Sequence, residues 1–171
     1  YETDDCFSWL DYMTETFGED IKIILHGVSM GAGVVLLMSG DKKLPDSVKF
    51  IVEDSGFTDL TELLTMKFSK SKKVSKSILK ILNSINKRKS GFDISEVSPV
   101  ESVRRAETPI LFIHGREDGL IPSDMAVQLY NACRSEKKLL LIDGANHAQN
   151  LKIGGNKYFS VNSSVSNQFS L

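Results

Sequence analysis

The chain of 171 residues carries 21 basic and 22 acidic side chains, a net charge of −1, and 41% of it is hydrophobic, enough to bury a sizeable core. A near-neutral chain is not expected to have a nucleic-acid partner. Cys6 and Cys133, far apart and without a C-x-x-C pattern, exclude a disulfide framework or a zinc centre and are expected as buried thiols on helices, and no apolar run is long enough to cross a membrane.

In chain order, the first signal is Asp5 to Met13, whose apolar positions 6, 9, 10 and 13 have helical spacing. Ile21-Lys22-Ile23-Ile24-Leu25 then reads as a central strand, apolar at four of five positions. It leads directly into His26-Gly27-Val28-Ser29-Met30-Gly31-Ala32, a G-x-S-x-G motif, followed by a small-residue helix start at Ala32 that runs to Gly40. Strand before and helix after force a sharp turn with Ser29 at its apex, for which a positive φ is expected. Glycine-sized neighbours at 27 and 31 would let strand and helix approach, and the amides of Met30 and Gly31 at the helix N-terminus would form half of an oxyanion hole. The alternative is a buried serine in an ordinary βα turn. Gly27, Gly31 and Gly33 form neither a phosphate loop nor a dinucleotide fingerprint, so no cofactor is expected.

A second strand, 48–53, closes at Asp54, and a third, 110–114, ends in His114-Gly115. Between them, residues 57 to 98 make an insertion longer than one crossover helix needs. Nine basic residues, from Lys67 to Lys89, stand there with no acid between Glu62 and Asp93. Val74, Ile78, Ile81, Leu82 and Ile85 recur at helical spacing within it. One reading is a lid that draws in acidic substrates or an anionic membrane surface. The other is a solvated helix whose apolar stripe packs on the core. After His114 come the polar turn Arg116 to Pro122, a helix that Ser123 would cap, a strand at 138–142, the loop Asp143 to Ala148, and a serine- and asparagine-rich tail. Tyr158, Val161, Val165 and Phe169 give that tail a weak helical period, expected as a last helix that frays.

A serine hydroxyl attacks only when a base takes its proton and a third group orients the base. Of the three histidines, His26 and His114 are fixed at strand ends. His147 stands in a polar loop on the carboxyl side of a strand, where such sheets place functional side chains. For the acid, Asp118 in the turn after the third strand is favoured, with Asp54 as the rival. Glu117 should point away, and Asp124 lies inside the following helix.

These residues resemble the carboxyl-terminal part of an alpha/beta-hydrolase serine hydrolase. The matching segments are the elbow His26 to Ala32, Glu53 to Phe57, Ser98-Pro99-Val100, Thr108 to Gly115 with Asp118 and Pro122, and Gly144 to Ala148. The resemblance is to bacterial hydrolases related to the prolyl-oligopeptidase and serine-aminopeptidase-like branches. It implies an α/β fold of parallel strands with flanking helices and a helical lid at about 57–98. It also implies a Ser29-Asp118-His147 triad with Met30 N–H in the oxyanion hole. The expected activity is cleavage of a carboxylic ester, thioester or amide of a small-molecule acyl substrate through an acyl-enzyme. A peptidase or a non-catalytic hydrolase-like binding module is the alternative. Four strand signals are fewer than a complete domain of this kind has, so the amino-terminal strands and the loop giving the second oxyanion amide are expected outside these residues. By itself the chain is then expected to be inactive and to self-associate through the open edge of strand 21–25.

Overall fold

The computed structural model describes residues 1–69 and 76–168. Helix α1 (Glu2–Phe17) precedes β1 (Ile23–Val28), and α2 (Met30–Ser39) leads to β2 (Val48–Asp54). Helices α3 (Leu60–Ser69) and α4 (Lys76–Ser90), a 3-10 turn at Ile94–Glu96 and the short α5 (Pro99–Val103) fill the crossover to β3 (Ile110–Gly115). Helix α6 (Ser123–Ala132), β4 (Lys137–Ile142) and α7 (Asn150–Gln168) complete the chain.

The four strands form one sheet in the order β1-β2-β3-β4, every pair parallel. Parallel strands with flanking helices are the arrangement that the resemblance implies. Each strand rises to the same end of the sheet: Val28 pairs with Asp54, Asp54 with Ile113, and Gly115 with Ile142. The loops that follow β1, β3 and β4 therefore open side by side. Alternate strand residues feed two cores. Val48, Ile51, Ile110 and Phe112 pack with Leu10, Leu36, Met38 and Leu129 of α1, α2 and α6 on one face. Phe50, Val52, Leu111, Ile113, Leu140 and Ile142 pack with Tyr158 of α7 on the other. Burial on both faces is why β3 reads as a continuous apolar run.

Several local expectations are corrected. The first strand begins at Ile23 rather than Ile21 and runs on through His26-Gly27-Val28; its place at the edge of the sheet among the described residues, with Ile24 and Val28 each 44% exposed, is as expected. Ser123 is the first residue of α6 and does not cap it: Pro122 holds the cap position without a side-chain bond. Cys6 lies on α1 but is only partly buried, and Cys133 is buried just past the end of α6. In the basic segment, Ile81 and Ile85 are 58% and 46% exposed, so this part of the stripe does not pack on the core. Val74, Lys70, Lys72 and Lys73 lie outside the described residues, as do the side chains of Ile78 and Leu82. The last helix kinks at Gly155 (φ 47°) and buries Tyr158, while Phe169 lies outside the described residues. Among the described residues no helix is long and apolar enough to cross a membrane.

Candidate active site

Ser29 stands between the end of β1 and the start of α2 with φ 56° and ψ −113°, the left-handed region that non-glycine residues rarely occupy. Its amide continues the parallel ladder by donating to the Asp54 carbonyl at 2.8 Å. Gly27 makes the turn possible: a Cβ there would collide with the Gly31 carbonyl and lie 2.7 Å from the Ala32 amide nitrogen. Gly31 is not needed for the same reason, because nothing lies within 4 Å of the place its Cβ would occupy. The close approach thus rests on one glycine of the motif, against the expectation for both. Gly33 has a different use, since a Cβ there would lie 2.8 Å from the Phe57 ring. Helix α2 begins at Met30, so the first amides of its N-terminal turn have no partner within the helix and are free to meet an anion.

The turn after β3 and the loop after β4 are stitched together. Arg116 N donates to Ile142 O at 3.0 Å, Glu117 N to Ala145 O at 3.1 Å, and Gly119 N to the Asn146 side chain at 3.1 Å. A Cβ on Gly115 would strike the Ala145 carbonyl, so this approach also depends on glycine. The stitching brings three side chains into line. Ser29 Oγ lies 2.7 Å from His147 Nε2, and His147 Nδ1 lies 2.7 Å from Asp118 Oδ2. Glu117 points to solvent and Asp124 is exposed at the start of α6.

Asp118 is held as a carboxylate. Burial opposes its charge, but hydrogen bonds from His114, the Ile121 amide, His147 and the Leu120 amide outweigh it and bring its pKa to about 2. The two amides reach Oδ1 at 2.8 and 2.9 Å. A carboxylate only accepts, so His147 Nδ1 carries the proton and Nε2 is left to accept from the Ser29 hydroxyl.

Behind Asp118 lies a second histidine that sequence reasoning set aside as a strand end. His114 is fully buried, and its Nε2–H donates to the Ile121 carbonyl at 2.9 Å while lying 3.2 Å from Asp118 Oδ2. Burial disfavours its proton, yet the bond to Asp118 and the charge of Glu53 raise its affinity for one overall. Glu53 is fully buried as well and accepts from the Gly56 amide. Burial raises its pKa to about 7 despite the opposing pull of His114. The four-residue spacing from His114 to Asp118 across the strand end was the available sequence signal for this contact.

Asp54, the rival acid, does not touch His147. Its carboxylate instead accepts from the Ser55 hydroxyl at 2.9 Å, Asn150 Nδ2 at 2.6 Å and the Tyr158 hydroxyl at 3.0 Å. His26 also stays out of the site, with its Nε2 3.1 Å from that same Tyr158 hydroxyl.

Ser29 opens onto a cavity of about 440 Å³ walled mainly by Val34, Leu37, Phe57, Leu60, Leu63 and Val97. Three charged side chains, Glu2, Glu96 and Lys67, also line it. The apolar wall is contributed by α2 and by the long crossover between β2 and β3.

Known proteins resemble this chain in sequence and in fold. The chain is 30% identical over 149 residues to the uncharacterized protein YqkD of Bacillus subtilis (strain 168), covering 86% of this chain and 48% of that protein, so it spans about half the relative's length. Among solved structures, the Pyrococcus furiosus esterase Pf2001 superposes with a TM-score of 0.71 at 18% identity, over 98% of this chain and 62% of that one. A Pyrococcus horikoshii acylaminoacyl peptidase gives 0.70 at 14% identity, over 98% of this chain and 27% of its own. At such identities these likenesses speak for the fold alone. Residues 1–157 match the prolyl oligopeptidase family, and the chain therefore belongs to that family of serine hydrolases.

Proposed function

We propose that the full-length protein hydrolyses carboxylic esters through an acyl-enzyme formed on Ser29. The observation that carries this reading is the placement of Ser29 Oγ, 2.7 Å from His147 Nε2, at the mouth of a cavity with a mostly apolar wall. In the reading, His147 Nε2 takes the hydroxyl proton as Oγ attacks the acyl carbon, and the Asp118 carboxylate stabilises the imidazolium that forms. The Met30 N–H donates to the developing oxyanion, where one such donor is worth roughly 3 kcal/mol of barrier. His147 returns the proton to the leaving alcohol, and water repeats the sequence to free Ser29. The segment 57–98 acts as a lid, a role supported by Leu60, Leu63 and Val97 on the cavity wall.

Glu2 and Glu96 favour a second reading. Two carboxylates beside an apolar wall suit the ammonium of an aminoacyl substrate, so amide cleavage is the competing activity. A fluorophosphonate probe on the full-length protein tests the chemistry: Ser29 should be labelled and Ser29→Ala should not. Absence of labelling would instead favour a hydrolase-like binding module. p-Nitrophenyl esters of graded chain length, set against aminoacyl amides, test the substrate. A higher kcat/KM for the amides would overturn the ester reading.

A further inference from the structure

Asp54 joins the nucleophile to the base. Its backbone carbonyl accepts from the Ser29 amide at 2.8 Å and so holds the elbow at the end of β1. Its carboxylate, 3% exposed with the rest of the residue, is the centre of a buried cluster that reaches the other side of the site. Oδ1 accepts from Asn150 Nδ2 at 2.6 Å and from the Ser55 hydroxyl at 2.9 Å. Asn150 Nδ2 also donates to Ser55 Oγ at 2.8 Å, and Ser55 Oγ accepts from the Ala148 amide at 3.4 Å. Ala148 follows His147 directly and has φ 55°, while Ser55 has φ 61°. Both ends of the contact are thus held in a sparsely populated backbone region, which persists only where surrounding bonds fix it. Oδ2 is anchored separately by the Tyr158 hydroxyl at 3.0 Å.

We propose that Asp54 is a positioning residue: one rigid unit, Asp54 with Ser55 and Asn150, sets the His147 loop against the Ser29 elbow. The inference rests on the hydrolase reading of this site, but one of its consequences is visible without turnover. Residues 143–149 leave the sheet at β4, and α7 begins at Asn150. Fixing Asn150 to the end of β2 therefore fixes the exit of the loop just as the sheet fixes its entry. A misplacement of the base by about 1 Å is enough to cost roughly 10²-fold in rate.

The hydrogen-bond pattern separates this role from that of a triad acid. An asparagine at 54 can turn its carbonyl to Asn150 and Ser55 and its amide to Tyr158, whose hydroxyl then accepts from it and donates to His26 Nε2. Asp54→Asn is accordingly expected to keep kcat/KM within a few-fold of wild type. Asp54→Ala should lose about 10²-fold, mostly in kcat. A triad acid gives the opposite pattern, for which the amide alone costs about 10⁴-fold. Asn150→Ala should match Asp54→Ala, and the double variant should cost no more than either alone.

The experiment uses the full-length protein and compares fluorophosphonate labelling rates with ester kcat and KM. Proton NMR of the His147 Nδ1–H, which bonds to Asp118, is followed in parallel. The low-field signal should be sharp in wild type and Asp54→Asn, and broadened in Asn150→Ala. If Asp54→Ala does not fold, Asn150→Ala and Ser55→Ala carry the comparison. Variants that label as fast as wild type with an unchanged His147 signal overturn the inference, whatever happens to their melting temperature. An unlabelled wild type with the expected NMR changes would sink the hydrolase reading and leave the positioning role standing.

Discussion

Glu53 offers a direct test of the buried charge behind the site. The side chain is fully buried, and its pKa rises from an ordinary 4.5 to about 7 in the fold. Below the ordinary value both folded and unfolded chains hold the proton. Between there and about 7 the folded chain keeps a proton that the unfolded chain releases, so stability falls as pH rises. Above 7 both forms are ionised and the loss is complete. A gap of roughly 2.5 pH units at about 1.4 kcal/mol each gives about 3 kcal/mol. His114, whose proton affinity is also raised in the fold, acts in the same direction. Its stabilising contribution is lost as pH climbs through the folded pKa. Glu53→Gln keeps the acceptor for the Gly56 amide but cannot ionise. Leaving one amide group short of partners costs about 1–3 kcal/mol at every pH, so the absolute stabilities are uninformative and the slopes decide. Urea unfolding at intervals from pH 4 to pH 8 should give wild type a decline steeper than that of Glu53→Gln by about 3 kcal/mol over the range. Equal slopes would show that the Glu53 carboxyl titrates at the same pH in the folded and unfolded chains, and the account of the cluster behind Asp118 would fall.

The elbow makes an asymmetric prediction: Gly27→Ala should abolish labelling of Ser29, because its Cβ meets backbone of α2 that cannot move aside. In this chain Gly31→Ala should leave thermal unfolding unchanged or raise stability by up to about 1 kcal/mol through helix propensity; a melting temperature lowered as much as by Gly27→Ala would refute the distinction. Asp118→Asn should reduce kcat by about 10⁴-fold and also lower the melting temperature, because its amide would face N–H donors that the carboxylate accepts from, and a milder loss of kcat than Asp54→Ala would reverse the roles assigned to the two acids. Leu63→Trp, which adds bulk to the cavity wall, should shift preference from long-chain to short-chain p-nitrophenyl esters, and an unchanged ratio would move the acyl group elsewhere. The open edge of β1, with Ile24 and Val28 exposed, should make this 171-residue chain associate with itself in light scattering, and a monodisperse monomer would refute that.

What the sequence disclosed divides by the range of the interaction that fixes it. The four strands were legible because burial on one or both faces imprints a local pattern, and the elbow because a strand, a tight turn and a helix meet within a few residues. Asp118 and His147 could be proposed because each stands in a polar loop at the carboxyl end of a strand. The errors were also local readings. Ser123 has the residue type of a cap, but Pro122 holds the cap position of α6 and Ser123 is already the first helical residue. Gly31 was given the same steric duty as Gly27 by the symmetry of the motif, although only the strand side of the turn faces the backbone across it.

Asp54 marks the limit of such reading. Its sequence context, the end of an apolar strand in Glu53-Asp54-Ser55-Gly56, suits a triad acid as well as an anchor, and no local pattern distinguishes the two. Its side chain is decided by Asn150 and Tyr158, which lie 96 and 104 residues further along the chain. Together with the Ser55 hydroxyl they engage both oxygens of the carboxylate, away from His147. Helix α7 gives that carboxylate two donors, Asn150 and Tyr158, beside the neighbouring Ser55 hydroxyl, while Asp118, in the turn after β3, keeps Oδ2 within reach of His147. Which carboxylate lies against His147 therefore depends on where the last helix docks. The docking of α7 keeps the Asp54 carboxylate on Asn150 and Tyr158 and ties Asn150, just past the loop that carries His147, to the end of β2.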